Sequence, residues 1–249
     1  PSIPKNNSLL INIIDSYFNN KKHFGKKIQS YVNFIGKILN LILKYNININ
    51  ETNELGQSPL IISIHNNDIK IVKILLENGA NVNYAGPYNT YFPLNLAIKT
   101  KNIQIISLIL KYNPELNFCD NKLNIPLQYA ISNLTENKFN RILYFLIKNS
   151  NLLIPNAYGL TSLHSIFKNE TLLYKFINLI REKFLNNEIN FNVLDNSKNT
   201  PFDYINCNNF IKFINKFSNI IIKNNLQSYF RKNTSKCIID YSKIEGNRE

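Results

Sequence analysis

The chain has 249 residues, 44% of them hydrophobic with 16 Phe and 14 Tyr, which is ample for a core, and it carries a net charge of +13. Seven Gly and nine Pro are too few for a linker-rich protein, and no apolar run approaches the roughly eighteen residues needed to cross a membrane. No basic-then-apolar leader opens it, and the initial Pro1 with no Met anywhere leaves open a processed start or a piece of a longer chain.

In chain order, Ser8 to Phe18 reads as an amphipathic helix and Phe24 to Tyr45 as one or two more, joined by Asn19-Asn20-Lys21-Lys22. Residues 36 to 50 read as the second half of a repeat unit, with Asn46, a residue tolerated in the left-handed position after a helix, at the glycine position of the closing segment Leu43 to Asn50. Five helix starts then follow: Ser58-Pro59-Leu60, Phe92-Pro93-Leu94, Ile125-Pro126-Leu127, Thr161-Ser162-Leu163 and Thr200-Pro201-Phe202, at steps of 34, 33, 36 and 39 residues. A Ser or Thr hydroxyl caps an orphan N–H, and Pro in the first turn loses no hydrogen bond. Phe92 and Ile125 cannot cap, so their helices are expected to be the less regular ones.

Each start is followed by a second helix with an apolar stripe: Ile71, Ile74 and Leu75; Ile105, Leu108 and Ile109; Leu143, Leu146 and Ile147. Such helices are too short to stand alone, so the stripes must be buried against neighbouring copies. Gly79 suits the left-handed residue that closes one of them. The fourth copy is longer, with Arg181 to Glu188 extending its second helix or loop. Phe210, Phe213, Ile214 and Phe217 then mark a capping helix over residues 209–230, and residues 231–249 lose the pattern and form a tail.

A turn, a Ser-Pro or Thr-Ser helix start, two short helices and a Gly-Ala-Asn loop at a period near 33 residues resembles the ankyrin repeat. The resemblance implies an all-α ankyrin-repeat solenoid of about five recognisable units with helical caps at both ends. The corresponding divisions are residues 1–50, a cap and half repeat, and 51–208, the array, before the capping helix and tail. His164 stands where the family's Thr-Pro-Leu-His motif has its histidine, which implies a buttressing role.

The family binds partners through loop tips and the exposed inner face of the first helices. Carried over copy by copy, this points to Leu55, Gln57, His65 and Asn66, then to Tyr88, Asn89, Tyr91 and Lys99, then to Lys122 and Asn124, and finally to Tyr158 and Lys168. The loop from Asn83 to Tyr91 holds three tyrosines; they serve as a binding hot spot, or one or two of the rings cover the adjacent turn.

Chemistry has little to rest on. Cys119, Cys207 and Cys237 lack metal-ligand spacing, and their odd number speaks for reduced thiols in an intracellular compartment, cytoplasmic or nuclear. A host cell is the setting if the source is a virus or an intracellular microbe. His23 and His65 have no companion ligands, no glycine-rich phosphate loop is present, and Ser162 lacks the second glycine of a nucleophile elbow. No enzyme activity, cofactor or metal is expected.

Charge is uneven: +6 over residues 1–45, +2 over 46–209 and +5 over 210–249. The expected function is a noncatalytic interaction scaffold or adaptor that holds a protein partner on its concave face from Tyr88 to Lys168. The alternative is a nucleic-acid- or anion-associated component that uses its lysine-rich ends, including Lys21, Lys22, Lys26 and Lys27.

Overall fold

Helices start where the chain supplies a side-chain acceptor or a pre-set φ, and that rule accounts for most of the architecture. The structure, a computed structural model, describes residues 9–21, 23, 28–45, 47–87 and 92–205. Among them are ten α-helices and no strand. They are α1 (Leu9–Lys21), α2 (Ile28–Leu43), α3 (Pro59–His65), α4 (Ile69–Glu77), α5 (Pro93–Thr100), α6 (Ile103–Lys111), α7 (Pro126–Asn133), α8 (Asn140–Asn149), α9 (Ser162–Lys168) and α10 (Glu170–Leu185). Two 3-10 turns, Asn137–Phe139 and Pro201–Tyr204, complete the set.

The chain divides into two compact units, residues 1–150 and 151–249. In the first, α1 packs on α2 and α3, α3 on α4 and α5, and α5 on α6 and α7, while α4 lies between α2 and α6 and α8 lies on α7. That gives an inner row α1, α3, α5, α7 backed by outer helices. The pair α1 and α2 therefore occupies the place of a repeat of its own. In the second unit α9 packs on α10 and on the turn Pro201–Tyr204.

The starts behave as their chemistry dictates. Ile61 N–H donates to the Ser58 hydroxyl at 3.4 Å, and His164 N–H donates to that of Thr161 at the same distance. Second helices use Asx caps: Asp68 accepts from Lys70 and Ile71 N–H at 3.1 Å each, Asn102 accepts from Gln104 and Ile105 N–H for α6, and Asn169 accepts from Leu172 N–H for α10. Phe92 and Ile125 have no side-chain cap bond, yet α5 and α7 run eight residues each, one more than α3 and α9. The expected irregularity is absent at the start of α5, where Leu96 N–H donates to the Phe92 carbonyl at 2.9 Å, but present at that of α7, where the Ile125 carbonyl takes Gln128 N–H at 3.0 Å and Tyr129 N–H only at 3.5 Å. There Gln128 Oε1 accepts the Ile125 N–H at 2.9 Å, which satisfies a donor that the Ile125 side chain cannot.

Burial follows the stripes and widens them. Ile71, Leu75, Ile105, Ile109, Leu143, Leu146 and Ile147 are fully buried, joined by Val72 and Ile106, whereas Ile74 and Leu108 are half-buried. Gly79 closes α4 at φ 86°. One boundary differs from the sequence reading: α1 continues through Lys21, because Lys21 Nζ reaches Asp68 at 2.6 Å and lies over the Tyr17 ring, so Asn19 to Lys21 do not form a linker. Of the two alternatives for the fourth copy's extension, helix holds through Leu185: α10 buries Lys183 against Glu188 at 2.6 Å, and Phe184 stacks on Phe191 at 4.9 Å. Phe24, Asn46, the capping helix over 209–230, the tail, Cys207 and Cys237 lie outside the described residues.

Candidate loop-tip and inner-helix surface

Each described loop tip is folded around one Asx side chain. Asn53 Oδ1 accepts from Leu55 and Gln57 N–H at 3.1 and 2.8 Å; Asp120 Oδ1 accepts from Lys122 and Asn124 N–H at 2.9 and 2.8 Å. Asn156 does the same for Tyr158 and Leu160 at 3.0 and 3.1 Å, and Asp195 for Ser197 and Asn199 at 2.8 and 2.9 Å. In each of these loops the fourth residue is left-handed: Gly56 at φ 71°, Leu123 at 59°, Gly159 at 74° and Lys198 at 66°. Non-glycine residues in that region are strained by about 1 to 2 kcal/mol, partly offset by glycine's larger unfolded-state entropy. Lys198→Gly is therefore expected to raise stability by about 0.5 to 1 kcal/mol. Gly159→Ala is expected to lower it, since a Cβ there would lie 2.7 Å from the Asn196 nitrogen. Urea midpoints of the two variants check both signs.

This brace decides what the expected site residues present. Leu55 and Tyr158 hold the third loop position and are 67% and 69% exposed. Lys122 is exposed at the same position of its own loop, while Gln57 and Asn124 are half-buried, Gln57 accepting from the Asn53 amide at 3.2 Å. His65 and Asn66 are exposed at the end of α3, and the Asn66 amide donates to the Ile62 carbonyl at 2.9 Å. Tyr88, Asn89 and Tyr91 lie outside the described residues. Tyr84, from the same loop, contributes to the fold, since its hydroxyl donates to the Gly56 carbonyl at 2.7 Å and Pro87 fills the space over Gly56. Of the two readings of this loop's tyrosines, Tyr84 follows the one in which a ring covers the adjacent turn.

The two expected lysines are each seated on an aromatic ring. Lys99 Nζ stands 4.4 Å from the Tyr129 centroid, and Lys168 Nζ stands 5.8 Å from that of Tyr204. Tyr129 donates its hydroxyl to Asp120, and Tyr204 donates to Asp195 Oδ2 at 2.5 Å. Burial and then the Asp120 hydrogen bond push Tyr129 up to about 12, so it stays a phenol and a donor. His65 is held below the ordinary histidine range by burial and then by the Lys99 charge. Tyr129 and Tyr204 are absent from the sequence-based selection. A signal for them exists: each follows its loop aspartate by nine residues and the helix-start Pro by three.

His164 is buried and satisfied. Thr161 N–H donates to its Nδ1 at 3.2 Å, so the proton sits on Nε2, which donates to the Asn199 carbonyl at 3.2 Å. Burial lowers its pKa, in keeping with a neutral ring that links the start of α9 to the next loop. Ser162 is fully buried in the first turn of α9. Burial and then Asp120 push the Cys119 thiol up, away from a reactive thiolate. Lys21, one of the basic residues offered to nucleic acid, is held by Asp68, and Lys22, Lys26 and Lys27 lie outside the described residues. Among the described residues no three His, Cys, Asp or Glu side chains are grouped to hold a metal, and no helix is long and apolar enough to cross a membrane.

A family model described as ankyrin repeats, three copies, matches residues 7–85 and 28–120. The fowlpox virus ankyrin repeat protein FPV034 is 30% identical over 142 residues, covering 57% of this chain and 32% of the viral protein. The mimivirus ankyrin repeat protein L371 is 26% identical over 231 residues, covering 83% of this chain and 29% of that protein. The chain thus spans about a third of the length of these relatives. The crystal structure of EF0377, an ankyrin repeat protein, superposes with a TM-score of 0.54 over 82% of this chain and 92% of its own, at 22% identity, which speaks for the fold. Helix pairs at a recurring step, braced loop tips, the buttressing His164 and these matches lead to one conclusion: the chain is an ankyrin-repeat protein.

Proposed function

We propose that the chain is a noncatalytic scaffold or adaptor that holds a protein partner on its loop tips and on the exposed side of its inner helices. Ankyrin repeats generally mediate protein–protein interaction, and proteins built from them are generally non-enzymatic scaffolds. The observation that carries the reading is the placement of Leu55 and Tyr158. Both hold the third position of an Asx-braced loop, both are about two-thirds exposed, and the brace fixes their backbone without using their side chains. Apolar and aromatic area presented on a rigid loop binds with little loss of entropy, which is the character of an interface anchor.

Photo-crosslinking residues in place of Leu55 and Tyr158 test this, with Lys73 on the outer helix α4 as the comparison and a lysate of the native source as the pool of partners. Discrete adducts from both loop positions and none from Lys73 are expected. Leu55→Ala with Tyr158→Ala should weaken binding of the captured partner by about 2 kcal/mol or more while Tm stays nearly unchanged. Loss of stability with binding retained would return both side chains to the fold.

A further inference from the structure

We propose that each unit carries a receptor for a carboxylate of an acidic polypeptide segment: Lys99 seated on Tyr129 in the first, Lys168 seated on Tyr204 in the second. The proposal rests on the interaction reading above and names the chemistry of the partner.

The construction recurs in full. In both units a loop aspartate, Asp120 or Asp195, braces its own loop through two backbone N–H groups and takes the hydroxyl of the tyrosine nine residues later. In both, the lysine at the end of the preceding inner helix lies over that tyrosine ring. Neither aspartate is within ion-pair distance of the lysine, although both are buried and close enough to share its tyrosine. The carboxylates are committed to donors inside the loop, leaving the ammonium groups to the outside.

A ring face attracts a cation without carrying a charge, so it orients the ammonium and does not neutralise it. Lys21, Lys73, Lys138 and Lys183 all have a carboxylate partner; Lys99 and Lys168 have none among the described residues. Part of the entropy of fixing a lysine is thus already lost in the free protein, on a contact that leaves its charge available. The field is felt nearby, for Lys99 helps to hold His65 below its usual range.

An acidic polypeptide fits better than a nucleic acid. Phosphate backbones are held by several cations acting together, whereas each unit, among its described residues, offers one ring-seated ammonium without a carboxylate partner, and exposed aliphatic area close in sequence to the loop aspartate. Leu123, three residues after Asp120, is 50% exposed, and Leu194, next to Asp195, is 53% exposed. Glutamate or aspartate alternating with aliphatic side chains matches that pairing.

The test is fluorescence anisotropy of the full chain with a labelled Glu/Leu copolymer peptide, a Gln/Leu copolymer and a single-stranded DNA oligonucleotide. The Glu/Leu peptide is expected to bind at least tenfold more tightly than the Gln/Leu one. Lys99→Gln and Lys168→Gln should each weaken it several-fold and together tenfold or more, while Lys99→Arg restores binding and Lys111→Gln with Lys148→Gln on the outer helices changes nothing. Circular dichroism melting curves confirm that each variant is folded. No preference for Glu over Gln, or an equal loss from the outer-helix variants, overturns the proposal. Tighter binding to DNA that is lost in Lys99→Gln also overturns it, in favour of a phosphate ligand. If the loop-tip crosslinks persist while the lysine variants behave as wild type, the carboxylate receptor fails and the interaction surface stands.

Discussion

Phe167→Ala is expected to cost about 3 to 5 kcal/mol, the usual range for emptying a fully buried aromatic site. Phe167 has no exposed area, and its ring lies 5.6 Å from Phe191 and 5.4 Å from Phe202, which are themselves 4.9 Å apart. Phe184 also stacks on Phe191, at 4.9 Å. These four rings come from α9, α10, the following loop and the turn Pro201–Tyr204, so one truncation loosens every described helix and turn of that unit at once. Phe191, still held between Phe184 and Phe202, cannot collapse into the space left by Phe167 without losing its stacked and tilted geometry. Chemical denaturation followed by circular dichroism measures the loss. A value under about 1 kcal/mol would show that the cluster is fluid and repacks.

Asp68→Ala is expected to cost about 2 to 4 kcal/mol, combining a lost helix cap with a buried hydroxyl left without its acceptor. The carboxylate caps α4, accepts the Tyr17 hydroxyl at 2.6 Å, and pairs with Lys21 at 2.6 Å. Burial pushes its pKa up, but the bonds from Lys21, Tyr17 and the Ile71 N–H outweigh that and hold it below the ordinary carboxylate range. A carboxyl that binds its proton less readily when folded contributes stability that is complete above its unfolded value, near pH 4, and lost as pH falls through the lower folded value. The difference between wild type and Asp68→Ala should therefore shrink on acidification below about pH 4. A constant difference across that range would mean that the ion pair adds nothing beyond the cap.

What could be read from the chain alone follows the range of the forces involved. Pro59, Pro93, Pro126 and Thr161 set helix starts within a few residues of themselves, and the apolar stripes of α4, α6 and α8 are local periodicities, so the four copies they open were legible, whereas α1 and α2 were not read as a copy and the expected start at Pro201 opens only a 3-10 turn. Contacts between copies were not. Lys99 meets Tyr129 across 30 residues, and Tyr84 meets Gly56 across 28, and no local pattern announces either. The abundance of asparagine invites a reading as compositional bias. In the structure many of these residues work: Asn53 and Asn156 brace loops, and Asn102 and Asn169 cap helices. The candidate surface was legible as positions and not as partners, because exposure of Leu55 or Tyr158 depends on a brace two residues away, and the seat beneath Lys99 belongs to the next copy.

One set of asparagines has a reach beyond its own loop. Asn50 Oδ1 accepts the Asn81 N–H at 2.7 Å, and Asn83 Oδ1 accepts the Glu115 N–H at 2.7 Å, so the end of one copy is stitched to the end of the next. Stability in such an array is a sum of weak units and the couplings between neighbours, and these stitches belong to the coupling. Because they run from an uncharged amide to a peptide N–H, neither moderate salt nor pH changes near neutrality unfasten them. Cooperative unfolding of this unit should accordingly keep its sharpness over a range of ionic strength in which a charge-stitched array would begin to melt copy by copy.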